Sequence, residues 1–555
     1  MSGVLDDTGK PRPAAEVEPE LAGRPEASVR RVVAARRWAR SHAVALAGLP
    51  LLAATLFALY LHQAMTQPLN ADGSSNALQA WDMLHGNLLL SRWSLTDVSF
   101  YLTELPEYLL VEALHGLDGD VVAISAAITY TLLVLLACVL ARGRAVGVEA
   151  FVRVLIVIVV MIAPTAGPGT IVVLSSPDHL GTAVPLVLLY LVYERLPQRW
   201  YRLPLLFLLL AWAGISDSTA LLVGGGGIAL LCALRLWRGA GERRPQIAEF
   251  CAVLLAVITG VEVPRLIHQL GGYLMRPPSL AFTGADQMAT SLWEAIGFYL
   301  RLFAADFFGM PLIGANPAGG NLTPAETLIT LLHLSGAALV TVALVKSARR
   351  LTRDGDPIVR LLTIGLLLNL VAFVFSTEIE GGAREIAVVL PLGAALAGRV
   401  LGSRIAADRR LIATLGALAV VFSGVLMYHA SRPSAPADAS GAEIWLKAHG
   451  YTYGLGGYWN ANNITVASGG AVQVRPLNTE PQGIVQYVWD SNSTWYDPEK
   501  HYADFIVFGL GAGSSVYARP QQAIAQFGRP LRTVQLPGEE IMIWNKNLLA
   551  ELPRG

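Results

Sequence analysis

Charge is scarce in this chain. Only 15% of its 555 residues are Asp, Glu, Lys or Arg, against about 25% in ordinary soluble domains. What charge there is cancels, 41 basic against 41 acidic. The basic excess with which a nucleic-acid binder neutralises phosphates is therefore missing. Cysteine is nearly absent: Cys138, Cys232 and Cys251 each lie in an apolar run, which excludes a disulfide framework and a thiolate metal site. There is no G-x-S-x-G nucleophile turn and no repeat of fixed period. The run Gly224–Gly227 has no Lys-Ser/Thr after it, so it is no phosphate loop; within an apolar helix it permits close packing instead. What is abundant is apolar: hydrophobic residues make up 54% and the mean hydropathy is +0.49. A soluble globular enzyme and a disordered chain are excluded, and a polytopic membrane protein remains.

Residues 1–42 open with a stretch rich in Pro, Glu and Ala, read as a disordered cytoplasmic tail, and end on Arg30, Arg31, Arg36, Arg37 and Arg40. These arginines abut the first apolar stretch, residues 43–61, which reads as a retained first helix with its N-terminus inside. Further apolar stretches start near Val121, Phe151, Gly181, Leu203, Ala220, Ile247, Thr327, Arg360, Ile386 and Leu411. With roughly 20 residues needed per crossing, the count is about eleven spans. The basic loops, 142–144, 195–202, 235–244, 346–353 and 399–410, then all fall on the side of the N-terminal arginines, as the positive-inside rule requires. The fold expected is an all-α polytopic membrane bundle over residues 43–429, with a large first outer loop at 62–120. Residues 430–555 begin with a linker rich in Pro, Ala and Ser and continue polar and aromatic, an extracytoplasmic α/β or β-rich domain. Strand-like pieces lie at 464–467, 472–474, 505–508 and 540–544.

Polar chemistry concentrates at the outer ends. In the first outer loop Asp72 is followed by Gly73, Ser74 and Ser75, which leave room for a ligand near the backbone, and then by apolar residues at helical spacing. Two readings stand for Asp72: a helix cap or a reactive carboxylate. The stretch 96–114 suits an amphipathic helix in the membrane interface. It carries Asp97, Glu104, Glu107 and Glu112, acids that read first as a solvated face. Asp178 and His179 precede the span at Gly181, as cap and interfacial residue or as substrate contacts. Asp217 reads as a turn residue with an Asx bond. Arg384 either snorkels and pairs with Glu378, Glu380 or Glu385, or holds a phosphate bidentately. An interfacial helix is expected over 292–308. No H-x-x-x-H or paired-carboxylate pattern indicates a metal. The tail aromatics Tyr451, Tyr453, Tyr458, Trp459, Trp489, Trp495 and Tyr496 serve either their own domain's core or a sugar face.

The whole-chain pattern resembles the GT-C superfamily of integral membrane glycosyltransferases, in the branch of protein O-mannosyltransferases and aminoarabinose transferases. Asp72-Gly73 through Ala77-Leu78, Ala80, Asp82-Met83-Leu84 and Gly86 is similar to the family's first-loop motif, with Gly73 in place of a second acid. The stretches D-H-L-G-T-A-V-P-L and R-E-I-A-V-V-L-P-L resemble its second outer segment and its late Arg-to-Pro segment. The tail from Tyr453, with the later W-Y-D-P, looks like the outer tail of actinobacterial membrane proteins. The resemblance implies a polyprenyl-phosphate-sugar donor and a glycan, lipid or protein acceptor, with no nucleic acid. It also implies Asp72 as general base and Arg384 on the donor phosphate, with Asp178, His179, Asp97 and Glu104 as further substrate contacts. A divalent metal remains open. The rival readings are a lipid-linked glycan transporter, which would want polar residues in mid-span where only Glu149, Arg153 and Asn369 come near, and a non-catalytic partner in envelope assembly.

Overall fold

The computed structural model describes residues 48–164, 172–197, 199–239, 242–276, 281–305, 324–353, 355–434, 440–481, 483–510 and 518–554. The N-terminal tail with its arginines, and residues 306–323, lie outside these. Residues 56–555 form one compact unit. The other unit ends at Thr55, and its described part is the first turns of a helix.

Apolar sequence dictates helices, because a backbone in hydrocarbon must satisfy its own polar groups. In chain order these are α1 (Gly48–Ala64), α2 (Ala71–Leu84), α3 (Leu105–His115), α4 (Asp120–Arg142), α5 (Gly147–Met161) and α6 (Leu180–Arg195). Then come α7 (Arg202–Ser216), α8 (Ser218–Trp237), α9 (Arg243–Gln269), α10 (Met288–Leu302), α11 (Pro324–Ala348), α12 (Pro357–Phe375), α13 (Val389–Ala406) and α14 (Arg409–Ala430). A helix stands at each of the eleven expected starts. Seven of them, α4, α8, α9 and α11 to α14, are long and apolar enough to cross a membrane, which makes the chain a multi-pass membrane protein. The other four run to only 15–17 residues. The glycine run of α8 forms a π-helical stretch, Leu221–Gly226. It packs closely as expected: a Cβ on Gly224 would meet Leu186 at 2.7 Å.

The C-terminal part is an α/β domain. Helices α15 (Gly441–His449), α16 (Tyr458–Ala467) and α17 (Pro520–Phe527) accompany a mixed six-stranded sheet of order β5-β4-β3-β7-β9-β8. Its strands are β3 (Tyr453–Gly457), β4 (Gln473–Glu480), β5 (Gly483–Gln486), β7 (Phe505–Gly509), β8 (Arg532–Leu536) and β9 (Glu539–Ile543). Strand β3 runs parallel to both neighbours and the outer pairs are antiparallel. Three of the four strand-like pieces fall on strands. The fourth, 464–467, lies in α16, whose buried Ala461, Ile464 and Thr465 fall at helical spacing. Burial there overrides the β-branched composition.

This domain is stitched to the loop after α1. A small sheet joins β1 (Trp93–Leu95) of that loop to β2 (Leu274–Met275) and to β6 (Ser491–Asn492) of the domain. One apolar cluster runs from Leu78, Trp93 and Tyr108 into Leu455, Trp495 and Phe508. Trp93 and Trp495 meet edge to face at 5.0 Å between centroids. The expected interfacial helices are shorter than anticipated: α3 starts only at Leu105, after β1 and a run of turns, and α10 ends at Leu302.

Candidate functional site

Helix α2 begins with its cap at Asn70, whose side-chain oxygen accepts from the amides of Asp72 and Gly73 at 2.9 and 3.0 Å. The capping reading of Asp72 is thereby corrected. Its carboxylate is not spent on the backbone. Oδ2 accepts from Arg384 Nη1 in an ion pair, and Oδ1 accepts from the Tyr458 hydroxyl at 2.7 Å. Three distant parts of the chain thus converge on one carboxylate: the segment after α1, the turn before α13, and the C-terminal domain. Gly73 offers no room for a ligand. A Cβ there would stand 2.6 Å from Val122 and 3.2 Å from the Tyr108 hydroxyl, so the glycine lets α2 lie against α4 and α3. Ser74 and Ser75 are buried, donating to Asn463 Oδ1 at 2.8 Å and to the Asp490 carbonyl at 3.1 Å.

Around this centre the other candidates take distinct places. Asp178 is buried; Asn76 donates to its Oδ1 at 2.7 Å and Ser176 to its Oδ2 at 2.8 Å. Burial and then the nearby Asp72 charge raise its carboxyl. His179 adopts the left-handed region at φ 61°. It sits between Asp217, 3.0 Å from Nδ1, and Glu385, 3.5 Å from Nε2. Burial alone would lower the imidazole, but the Glu385 and Asp217 carboxylates outweigh it and hold it at about 10. Phe100, also left-handed at φ 49°, packs edge-on against that ring at 5.2 Å. Two left-handed non-glycine residues in contact are a local strain that the surrounding packing must hold.

Asp217 does make the expected turn bond, accepting from the Thr219 amide at 2.8 Å. Its second oxygen grips His179, a role the turn reading did not contain. Glu104 is fully buried at the start of α6, where its Oε1 accepts from the Thr182 amide at 3.2 Å. Gly181 is what admits it, since a Cβ there would lie 2.7 Å from its carboxyl. Glu104 and Glu112 are buried rather than forming the solvated face read from the sequence; Glu107 donates nothing outward but accepts from Thr129 at 2.6 Å.

Asp97 and Glu385 border a groove of about 450 Å³ whose walls include Leu222, Phe282, Leu368, Phe373 and Phe375. Its lining is mostly apolar, and its Glu385 is the residue that meets His179. Asn369, noted in the sequence as a polar residue within a span, lines it and donates to the Glu385 carbonyl at 3.2 Å. Burial raises the carboxyls of Asp97, Glu104, Glu385 and Asp490.

The C-terminal domain supplies what sequence reading missed. Tyr458, which the sequence leaves between a core and a sugar-facing role, is buried, and its hydroxyl reaches Asp72. Asp490, left-handed at φ 46°, is buried beside it. Its carboxyl is held far up by burial and by the Asp72 charge. No spacing rule joins residues nearly four hundred positions apart. Trp495 and Tyr496 are core residues, and Trp459 stays exposed. Among the described residues, the His/Asp/Glu group whose ligand atoms converge is His115, Asp118 and Asp120 at the α3–α4 turn. Asp72, Asp178 and His179 each face their own partners, so these residues are not arranged as an ion cage.

No family model and no curated protein matches this chain. Among solved structures it is similar to the oligosaccharyltransferase of Archaeoglobus fulgidus, tethered to an acceptor peptide. There identity is 12%, coverage is 85% of this chain and 70% of that one, and the TM-score is 0.48. It is also similar to ArnT from Cupriavidus metallidurans in the apo state, at 13% identity over 92% of this chain and 100% of that one, with a TM-score of 0.43. At these identities and scores the likeness assigns neither a substrate nor residue roles to this chain.

Proposed function

We propose that this protein is a glycosyltransferase that moves a sugar from a polyprenyl-phosphate donor to a hydroxyl acceptor at the outer face of the cytoplasmic membrane. The observation that carries the reading is the meeting of Asp72, Arg384 and Tyr458, close to a mostly apolar groove bordered by Asp97 and Glu385. In this reading the prenyl chain lies in the groove and the donor phosphate draws Arg384 away from Asp72. That exchange frees Oδ2 at the moment a base is needed. The acceptor hydroxyl attacks the anomeric carbon as its proton passes to Asp72. The bond from that carbon to the phosphate oxygen breaks, and polyprenyl phosphate leaves with its charge stabilised by Arg384. The protonated His179 adds a second positive charge within the same pocket. Tyr458 keeps the carboxylate aimed, so the C-terminal domain is a working part of the site.

Topology follows from the same reading. The N-terminus and basic loops face the cytoplasm, and residues 430–555 face outward. The direct test is incubation of purified protein with radiolabelled polyprenyl-phosphate sugars and membrane extract. Label moving from the lipid to an acceptor, or released to water, supports a transferase. Label that stays on the lipid with every sugar, while the lipid crosses a vesicle bilayer, supports the transporter instead.

A further inference from the structure

At the end of the bundle remote from Asp72, two cavities lie side by side and handle charge in opposite ways. One, of about 590 Å³, contains Arg153, Arg202 and Arg399 among acids. Arg399 pairs with Glu194 at 2.6 Å and Asp356 at 2.9 Å, Arg153 with Glu149 at 2.6 Å, and Arg202 with Glu249 at 3.0 Å. These charges fasten helix ends together. The second, of about 600 Å³, is bordered by Lys346, Arg350, Arg353, Arg360 and Arg404, with Asp356 as its one acid among the described residues. Asp356 is already engaged by Arg399. Among the described residues no carboxylate pairs with Lys346, Arg350, Arg353 or Arg404. Like charges gathered in one groove raise its positive potential and draw anions to it.

We infer that this groove binds the phosphate of an anionic phospholipid in the leaflet opposite the Asp72 site. Its position selects a lipid over a soluble anion. The groove lies between the end of α11, the start of α12 and the end of α13, three of the helices long enough to cross a membrane. Helix α12 has 19 residues and so is about 28 Å long, which puts groove and site at opposite faces. Just above the cations, α11 exposes Val342 and Val345 outward, each 44% accessible, a surface suited to an acyl chain. Arginine forks match phosphate oxygens, and Ser347 and Ser403 lie in the same wall. Basic pockets between helix ends on the cytoplasmic side are the general form of such head-group sites.

The test is the melting temperature of the full-length protein in a neutral detergent, titrated with short-chain phosphatidylglycerol, phosphatidylcholine or inorganic phosphate. Phosphatidylglycerol should raise it saturably, and the other two should not. Replacing Arg350→Gln and Arg404→Gln together should weaken that response on the order of thirtyfold, from about 1 kcal/mol per charge. Arg199→Gln, an exposed arginine at the same end outside the groove, should leave it unchanged. Because the groove arginines are exposed, the double variant should fold with its unliganded melting temperature near that of the wild type; should it not, lipid retained on purified wild type, counted by native mass spectrometry, supplies the same readout. An equal response to phosphatidylcholine or inorganic phosphate, an unchanged response in the double variant, or no retained anionic lipid overturns the proposal.

Discussion

At the scale of the residue, the informative feature is how each carboxyl is partnered. Asp72 has a cation on one oxygen and a phenol on the other. Arg384→Lys keeps the charge but loses the fork. It should weaken donor binding by about 1.5–3 kcal/mol, roughly ten- to a hundredfold in the donor KM. An Arg384→Ala protein that folds and shows an unchanged donor KM would return Arg384 to a purely structural ion pair. Glu112 is the contrary case. It is buried, neither oxygen has a hydrogen-bond partner among the described residues, and burial raises it to about 9. The folded state therefore keeps a proton that the unfolded chain, near 4.5, gives up. Stability should fall as pH rises from about 4.5 through about 9. Glu112→Gln should remove that part of the slope, by up to about 1.4 kcal/mol per pH unit, and raise the melting temperature at pH 8 more than at pH 5. A larger gain at pH 5 would contradict the assignment. Of these residues, Asp72, Arg384, Asp178 and His179 were legible because each stands at the end of an apolar run, where hydropathy itself marks the water boundary. Glu385 and Asp217 were visible only as a partner and a turn, since what they do depends on His179, which no local pattern places between them.

At the scale of the element, apolar length located all eleven bundle helices, while their ends and the strands depended on packing. Helix α3 begins nine residues later than its periodicity suggested because β1 diverts the loop into a sheet with β2 and β6. Helix α16 took a β-branched stretch because its tertiary setting rewards the face that carries Tyr458. That helix is the element that joins domain and site: Asn463 accepts from Ser74 and donates to the Leu69 carbonyl at 2.9 Å, and Tyr458 meets Asp72. Tyr458→Phe removes one hydroxyl and leaves the ring's packing. It should cost about 1.5–3 kcal/mol, the usual worth of a hydrogen bond to a charged group, and lower donor turnover as the carboxylate is freed to turn. Turnover equal to wild type at saturating donor, with only a lower melting temperature, would reduce α16 to a structural support.

At the scale of the whole molecule, the two ends of the bundle are chemically unlike. One gathers carboxyls, a histidine and an arginine beneath a folded domain; the other gathers arginines. Alternating loop charge is the pattern from which a two-sided arrangement is read in the sequence, whereas the stitching of the C-terminal domain to the loop after α1 needed pairings across four hundred residues. A cysteine placed at Ser440 should react with an impermeant reagent applied outside, and one at Ser347 only after the membrane is opened; the reverse pattern would move the site to the wrong face. The account as a whole stands on Asp72 acting as a base in sugar transfer. Purified Asp72→Asn should fold and bind radiolabelled polyprenyl-phosphate sugar, with a lower melting temperature from the lost ion pair to Arg384 but with α2 still capped by Asn70. Its rate of sugar transfer should fall roughly 10²–10⁴-fold. Transfer by Asp72→Asn at the wild-type rate would contradict the account at its centre.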